Sequence, residues 1–297
     1  KEQAKVYKNE FGIEAQIYSK EEFDKIGHGG TEQFGALSYK PGFAINPLKF
    51  VNGITKYALS KKLKIFEHSL VSKIHKNNDN YTLKTKEGLV STKKIVIATN
   101  GFYQEGLVPQ MNSRILPVIS NIIVTRKLTK NEIDLHNFKT FSPIANTKNL
   151  LYYYRKLPDN RILFGTRGDF IGSDQSNLDR SKIMERFLKN IFPGWSNVSI
   201  DYNWRGLIAM SQKLTPSIGK IENEEIYYGF GYHGVGVSSA PWTGKQLSKI
   251  VFSSNSKDLN ISKIYKGLPK KFIFPKLRIF YFRLAVMFYN IKDKLNI

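Results

Sequence analysis

The chain has 297 residues, no cysteine and a formal net charge of +22 at pH 7. Its length exceeds one domain of ~100–200 residues, and a 41 % hydrophobic share is ordinary for a packed protein, so a disordered chain is excluded. Without cysteine, this segment has no disulfide, thiolate metal site, cysteine nucleophile or cysteinyl-flavin link, which fits a reducing compartment and an expected cytoplasmic location.

The lysines are scattered among Asn and Ile with few dense clusters. That distribution reads as a lysine-biased composition, and no nucleic-acid partner is expected. A basic binding module remains an alternative.

The chain opens on Lys1, and residues 1–9 read as the tail of a helix. An earlier segment is therefore expected before it, and no signal peptide is visible. Ser19-Lys-Glu-Glu22 is a capping box that opens a short helix to about Ile26. Residues 27–30 form a loop and 34–39 a strand. Asn46-Pro47 marks a helix start, with Asn46 as N-cap and Pro47 in the first helical position, and the helix runs to about Ser60. A strand is expected at 64–68. Segments 70–76 and 81–86 alternate in polarity around Asn77-Asn-Asp-Asn80, a hairpin pattern.

Lys94-Ile-Val-Ile-Ala-Thr-Asn-Gly101 groups four apolar residues before Asn-Gly. This predicts a strand buried on both faces and central in a parallel sheet. Strands follow at 114–125, 150–155 and 162–166, the last two joined as a hairpin by Pro158-Asp-Asn160. A helix at 176–191 stops at Pro193-Gly194. Residues 226–228 form a short strand entering a glycine-rich turn, and 242–252 a helix. The tail at 275–295 carries Leu277, Phe280, Leu284, Phe288 and Ile291 at helical spacing among Lys and Arg. It is expected to pack on the protein body, with peripheral membrane contact as the alternative. Its longest uncharged stretch is far below the ~20 residues of a spanning helix. Parallel-type and antiparallel-type strands together predict an α+β fold, a dinucleotide-type domain interrupted by an antiparallel sheet domain.

The chemistry concentrates in Ile226-Tyr-Tyr-Gly-Phe-Gly-Tyr-His-Gly-Val-Gly-Val237. A strand leads into Gly229, Gly231, Gly234 and Gly236, then a helix. Residues without side chains let backbone N–H groups approach a planar or anionic ligand, and the helix start adds a positive partial charge. The same spacing also suits a tight turn with no ligand. His233 could hydrogen-bond a ligand or only pack the turn. Alternation places Tyr153 and Arg155 on one strand face and Tyr154 on the other. Arg155 could clamp a substrate carboxylate through two parallel hydrogen bonds, or be an edge-strand charge. Trp204 and Arg205 carry the same two readings.

The glycine stretch resembles the carboxy-terminal flavin motif of the D-amino-acid oxidase superfamily of FAD-dependent oxidoreductases, and is most similar to the γ-glutamylputrescine oxidase-like and glycine oxidase-like branch. Ala44-Ile-Asn-Pro47, Ser69-Leu-Val71, Ile95-Val-Ile-Ala-Thr-Asn-Gly101, Tyr154-Arg155 with Arg161-Ile-Leu-Phe-Gly165, Trp204-Arg-Gly206 and Thr215-Pro-Ser-Ile-Gly219 follow in the family's order.

The resemblance implies FAD as cofactor. Val71 would meet the adenine from a strand. Ala98, Asn100 and Gly101 would end the last dinucleotide strand, and Gly231, Tyr232, His233, Gly234, Val235, Gly236 and Val237 would face the flavin. Arg155, Tyr153 and His233 are the catalytic candidates. An FAD domain is expected from 44–110 and 204–255, a substrate domain from 15–43 and 111–203, and a tail from 256–297. The implied reaction oxidises the C–N bond of a small amine or amino acid by hydride transfer to flavin N5. The family opens with a Gly-x-Gly-x-x-Gly turn after a strand, no such fingerprint is read in this chain, and Gly27-His-Gly-Gly30 follows a helix and does not replace it. The segment bearing it is expected before Lys1. A non-catalytic fragment that assembles with a partner is the alternative function.

Overall fold

The computed structural model describes residues 1–252 and 261–295. The expected domain end 253–255 and the tail segments 256–260 and 296–297 lie outside the described residues. The first elements are α1 (Glu2–Phe11), β1 (Ala15–Tyr18), α2 (Lys20–Ile26), β2 (Ala36–Tyr39) and α3 (Pro47–Ser60). Short strands follow: β3 (Lys73–Asn77), β4 (Asn80–Lys84), β5 (Leu89–Thr92) and β6 (Ile95–Ile97). Next come β7 (Leu116–Thr125), α4 (Lys130–Leu135), β8 (Ile144–Ala145), β9 (Tyr152–Lys156), β10 (Ile162–Arg167) and α5 (Asp174–Ile191). The remainder is β11 (Ile200–Met210), β12 (Ser217–Lys220), β13 (Ile226–Phe230), α6 (Gly236–Phe252) and α7 (Arg278–Leu295).

The chain divides into two compact units. The first comprises Lys1–Ile45, Ile119–Gly206 and Val286–Ile297, the second Asn46–Val118 and Leu207–Ala285.

The first unit is built on a five-stranded sheet in the order β11-β7-β10-β9-β8. The pairs β7–β10, β10–β9 and β9–β8 are antiparallel. On β9, period-2 alternation buries Tyr152, Tyr154 and Lys156 and leaves Tyr153 and Arg155 half-buried on the other face. The buried face meets Met184, Leu188 and Ile191 of α5 in a core with Phe138, Phe164, Phe192 and Trp195. Lys156 reaches carbonyl oxygens within this core, donating to Phe138 O at 2.6 Å and Lys139 O at 3.3 Å. The Ser19–Glu22 capping box is formed at the start of α2.

The second unit contains a three-stranded sheet, β12-β13-β6, and an antiparallel sheet, β3-β4-β5. Asn46 caps α3 by accepting from Lys49 N, with Pro47 in the first turn. Strands β6 and β13 run parallel with Ile95 opposite Ile226. One face of this sheet packs Ile95, Ile97, Tyr228 and Phe230 against Met111 and Ala209, and the other packs Ile218 and Tyr227 against Leu247 and Val251 of α6.

Four expectations need correction. Segment 64–68 is not a strand: no described strand pairs with it, its Ile65 and Phe66 are exposed, and His68 has φ 53°, which breaks an extended run. The 94–101 run does yield a parallel strand, but β6 is the edge of its sheet among the described residues, paired only with β13. Accordingly Ile95 and Ile97 are 8 % and 7 % exposed while Val96 is 48 % exposed, so the strand is buried on one face. Val71 lies in the loop before β3, not in a strand. The tail is helical and is tied to the body by Asp293, which accepts from Asn149 N and Leu150 N, and by Arg278, which donates to Ile115 O, yet Leu277, Phe280, Leu284, Phe288 and Ile291 are exposed and only Val286 of the helix is buried. Consecutive apolar residues at 279–281 and 284–289 spread apolar surface around the helix and leave no single stripe to bury. No helix among the described residues is long and apolar enough to cross a membrane.

Candidate flavin turn and substrate face

In the second unit, the carboxyl ends of β6 and β13 lie side by side because the strands are parallel and in register. This is where open parallel sheets present ligands. After β6 the chain turns at Asn100, φ 47°, and its Oδ1 accepts a hydrogen bond from Gly231 N at 3.0 Å. After β13 the backbone takes a left-handed course at Gly231 (φ 80°), His233 (φ 49°) and Gly234 (φ 93°), and α6 begins at Gly236. A Cβ on Gly231 or Gly234 would be strained by φ alone.

Gly229 has a different role. A Cβ there would lie 2.5 Å from Thr243 Cγ2 and 2.9 Å from Leu247 Cδ1, so its bare Cα lets β13 and α6 touch. Gly101 is buried, and a Cβ on it would lie 3.0 Å from Leu207 Cβ. Gly229-Phe-Gly231-Tyr-His-Gly234 thus has Gly-x-Gly-x-x-Gly spacing between a strand and a helix. The sequence reading took it as a turn and missed that spacing.

Tyr232 is buried, whereas Gly234, Val235 and Val237 are exposed. His233 Nε2 lies 3.2 Å from Ser211 Oγ, a partner that no local sequence signal marked. Its Nδ1 is buried without a hydrogen-bond partner among the described residues. Burial holds the His233 pKa below its ordinary value, so the ring is neutral near pH 7. A left-handed glycine turn at a helix start, exposed at Gly234 and Val235 and beside a neutral imidazole with an unused nitrogen, fits a planar anionic cofactor. Ala98 is exposed just beyond β6, and Val71 is half-buried.

In the first unit, Tyr153 and Arg155 stand opposite Gly165 and Leu163 of β10. A Cβ on Gly165 would overlap the Tyr153 ring, so the ring lies over the glycine. Arg155 Nη2 donates to Ile45 O at 3.2 Å, which orients the guanidinium and leaves other N–H groups for a ligand. Tyr154 points into the core, where its hydroxyl lies 2.9 Å from His28 Nε2. Gly30 N donates to His28 Nδ1 at 3.0 Å, so the proton sits on Nε2 and is donated to Tyr154. Arg205 resolves to an anchoring charge. It donates to Ser173 O at 2.6 Å and to Asp174 Oδ1 at 3.0 Å at the start of α5. Trp204 is exposed.

A family model for FAD dependent oxidoreductases (DAO) matches residues 1–250. A probable oxidoreductase OrdL of Haemophilus influenzae is 29 % identical over 265 residues, covering 86 % of this chain and 60 % of that protein. Gamma-glutamylputrescine oxidoreductase of Escherichia coli is 26 % identical over 266 residues, covering 89 % of this chain and 60 % of the relative. The chain therefore spans about 60 % of the length of these two relatives. Among solved structures, L-proline dehydrogenase from P. horikoshii superposes with a TM-score of 0.68 at 21 % identity, covering 86 % of this chain and 71 % of that one. Glycine oxidase from Geobacillus kaustophilus gives 0.69 at 18 % identity, covering 83 % and 65 %. The shared fold is the α+β fold expected from the sequence.

Proposed function

We propose, from the premise that this chain belongs to the DAO family of FAD-dependent oxidoreductases, that it oxidises the C–N bond of a small amine or amino acid. The observation that carries the reading is the left-handed turn from Gly231 to Gly234 fastened to Asn100. In this reading the second unit holds FAD and the first binds the substrate. Backbone N–H groups of the turn and the start of α6 would face the electron-rich edge of the flavin, and Val71 would meet the adenine. His233 Nδ1 supplies a hydrogen-bonding nitrogen in want of a partner. When bound, FAD supplies the two-electron acceptor, taking a hydride at N5 from the carbon that bears the amine. Arg155, already oriented by Ile45 O, would hold a substrate carboxylate, and the Tyr153 ring would flank the carbon skeleton. Positioning dominates such a reaction, because the cofactor carries the electrons.

The test is to purify the protein from its full coding region, record its visible spectrum, and assay small amines and amino acids for flavin reduction. We expect a yellow protein whose flavin is bleached anaerobically by at least one substrate. A colourless preparation that gains no flavin on addition of FAD would overturn the reading.

A second reading concerns α7. Its exposed Phe280, Leu284, Met287 and Phe288 lie in a helix that also carries Arg278, Lys292 and Lys294. This composition suits shallow contact with an anionic membrane surface. Flotation with vesicles containing phosphatidylserine should retain the protein at low salt, and no retention with or without anionic lipid removes the reading. For the enzyme itself we place the reaction in the cytoplasm, on the cysteine-free composition.

A further inference from the structure

Two arginines of the first unit have no part in the reading above. Arg167 ends β10, and Arg180 lies in the second turn of α5. Both are half-buried, and the Nε atom of each is buried without a hydrogen-bond partner. Neither forms an ion pair among the described residues.

Arg167 donates from Nη1 to Gly168 O at 2.8 Å, and its guanidinium lies 4.8 Å from the Phe170 ring centroid. Asp169 is the acid beside them, but its Oδ1 is committed to local partners. It accepts from Ile171 N at 2.8 Å, Gly172 N at 2.5 Å and Ser176 Oγ at 3.0 Å. Its Oδ2 is buried and unbonded, so it meets neither arginine. Burial, and then the Arg167 charge, push the Arg180 pKa down to about 10, with Asp169 opposing. Burial likewise lowers Arg167.

Partly withdrawing a guanidinium from water with no carboxylate paired to it is unfavourable, and a second like charge nearby adds to the cost. The planar fork of arginine is matched by the two oxygens of a carboxylate or phosphate. Bound there, such a group would accept from accessible guanidinium N–H groups and neutralise the excess positive charge. We propose that Arg167 and Arg180 form a binding site for a small oxyanion, a carboxylate or phosphate group, at the junction of β10 and α5. The site is independent of the flavin turn, so it stands or falls apart from the oxidase reading.

The experiment is thermal unfolding and calorimetric titration of the full chain at constant ionic strength, with sodium phosphate in one arm, sodium succinate in another and sodium chloride as reference. A saturable rise in Tm with phosphate or with succinate is expected, and the stronger arm identifies the group. Arg180→Met and Arg167→Met should each abolish the rise. Arg180→Lys, which keeps the charge but not the fork, should weaken binding at least tenfold. The proposal is overturned if neither anion raises Tm beyond chloride, or if the methionine variants respond as the unsubstituted chain does. Should a methionine variant fail to fold, the titration of the unsubstituted chain and of Arg180→Lys still decides.

Discussion

Asn100 Oδ1 accepts the backbone N–H of Gly231 at 3.0 Å, so a side chain at the end of one parallel strand fixes the first left-handed residue after its neighbour. Replacing it with alanine leaves the Gly231 N–H without this acceptor, at a cost of about 1–3 kcal/mol if no water replaces it. Asn100→Ala should weaken FAD binding about tenfold, in line with a loss near 1.4 kcal/mol. Asn100→Asp keeps the acceptor but sets a carboxylate beside an anionic ligand, so it should weaken FAD binding while leaving the turn fastened. Titrating the apoprotein with FAD by flavin fluorescence checks both, and equal affinity in Asn100→Ala would show that the clip does not position the turn.

Gly165→Ala tests the five-stranded sheet of the first unit. The added methyl overlaps the Tyr153 ring, which can swing aside because it is the far end of a side chain. A modest stability change is expected, together with a several-fold rise in KM and an unchanged flavin content. An unchanged KM would remove Tyr153 from the substrate face.

Arg155→Met should raise KM for carboxylate-bearing substrates by about 10–100-fold, the worth of a charge-assisted pair at ~1.5–3 kcal/mol. Amines without a carboxylate should be far less affected. Steady-state kinetics with both substrate types make the comparison, and equal losses for both would assign Arg155 a structural role.

His28 makes stability fall on mild acidification. It is 1 % exposed, and burial pushes its pKa down to about 4. The unfolded histidine takes up its proton near pH 6.5, before the folded one does. Its contribution is therefore fully present above pH 6.5 and is lost as pH falls toward 4, on the order of 3 kcal/mol. His136 and His233, lowered by burial, act in the same direction. Denaturant unfolding between pH 7 and pH 4.5 should show a shallower pH dependence in His28→Gln. An identical slope would assign the effect elsewhere.

Local signals were legible in the sequence. Ser19 with Glu22, and Asn46 with Pro47, mark helix starts through bonds that span three residues. The alternation that separates Tyr153 and Arg155 from Tyr154 depends only on strand period. What stayed hidden depends on partners far along the chain. Alternation sends Tyr154 to the other face but does not say what its hydroxyl meets there, which is His28, 126 residues away. Ser211 beside His233 has no motif of its own. The apolar run at 95–97 foretold a parallel strand, but an apolar run cannot state how many neighbours will flank it, and Val96 faces outward. Gly229 was visible as a glycine, but its use as a contact between strand and helix needed Thr243 and Leu247 in place.

The two units are interleaved along the chain, with boundaries after Ile45, Val118, Gly206 and Ala285. Three of these boundaries fall inside β7, β11 and α7, with no intervening loop. During synthesis, the first unit is therefore not complete until residues from Val286 onward have been made, although its earliest strand has already emerged. An order in which the first unit folds whole while the second is still being translated is closed to this chain. The first unit's sheet is completed by β11 only after β3 to β6 of the second unit have been made, and a ribosome stalled before Ala285 would release a product in which neither unit is whole.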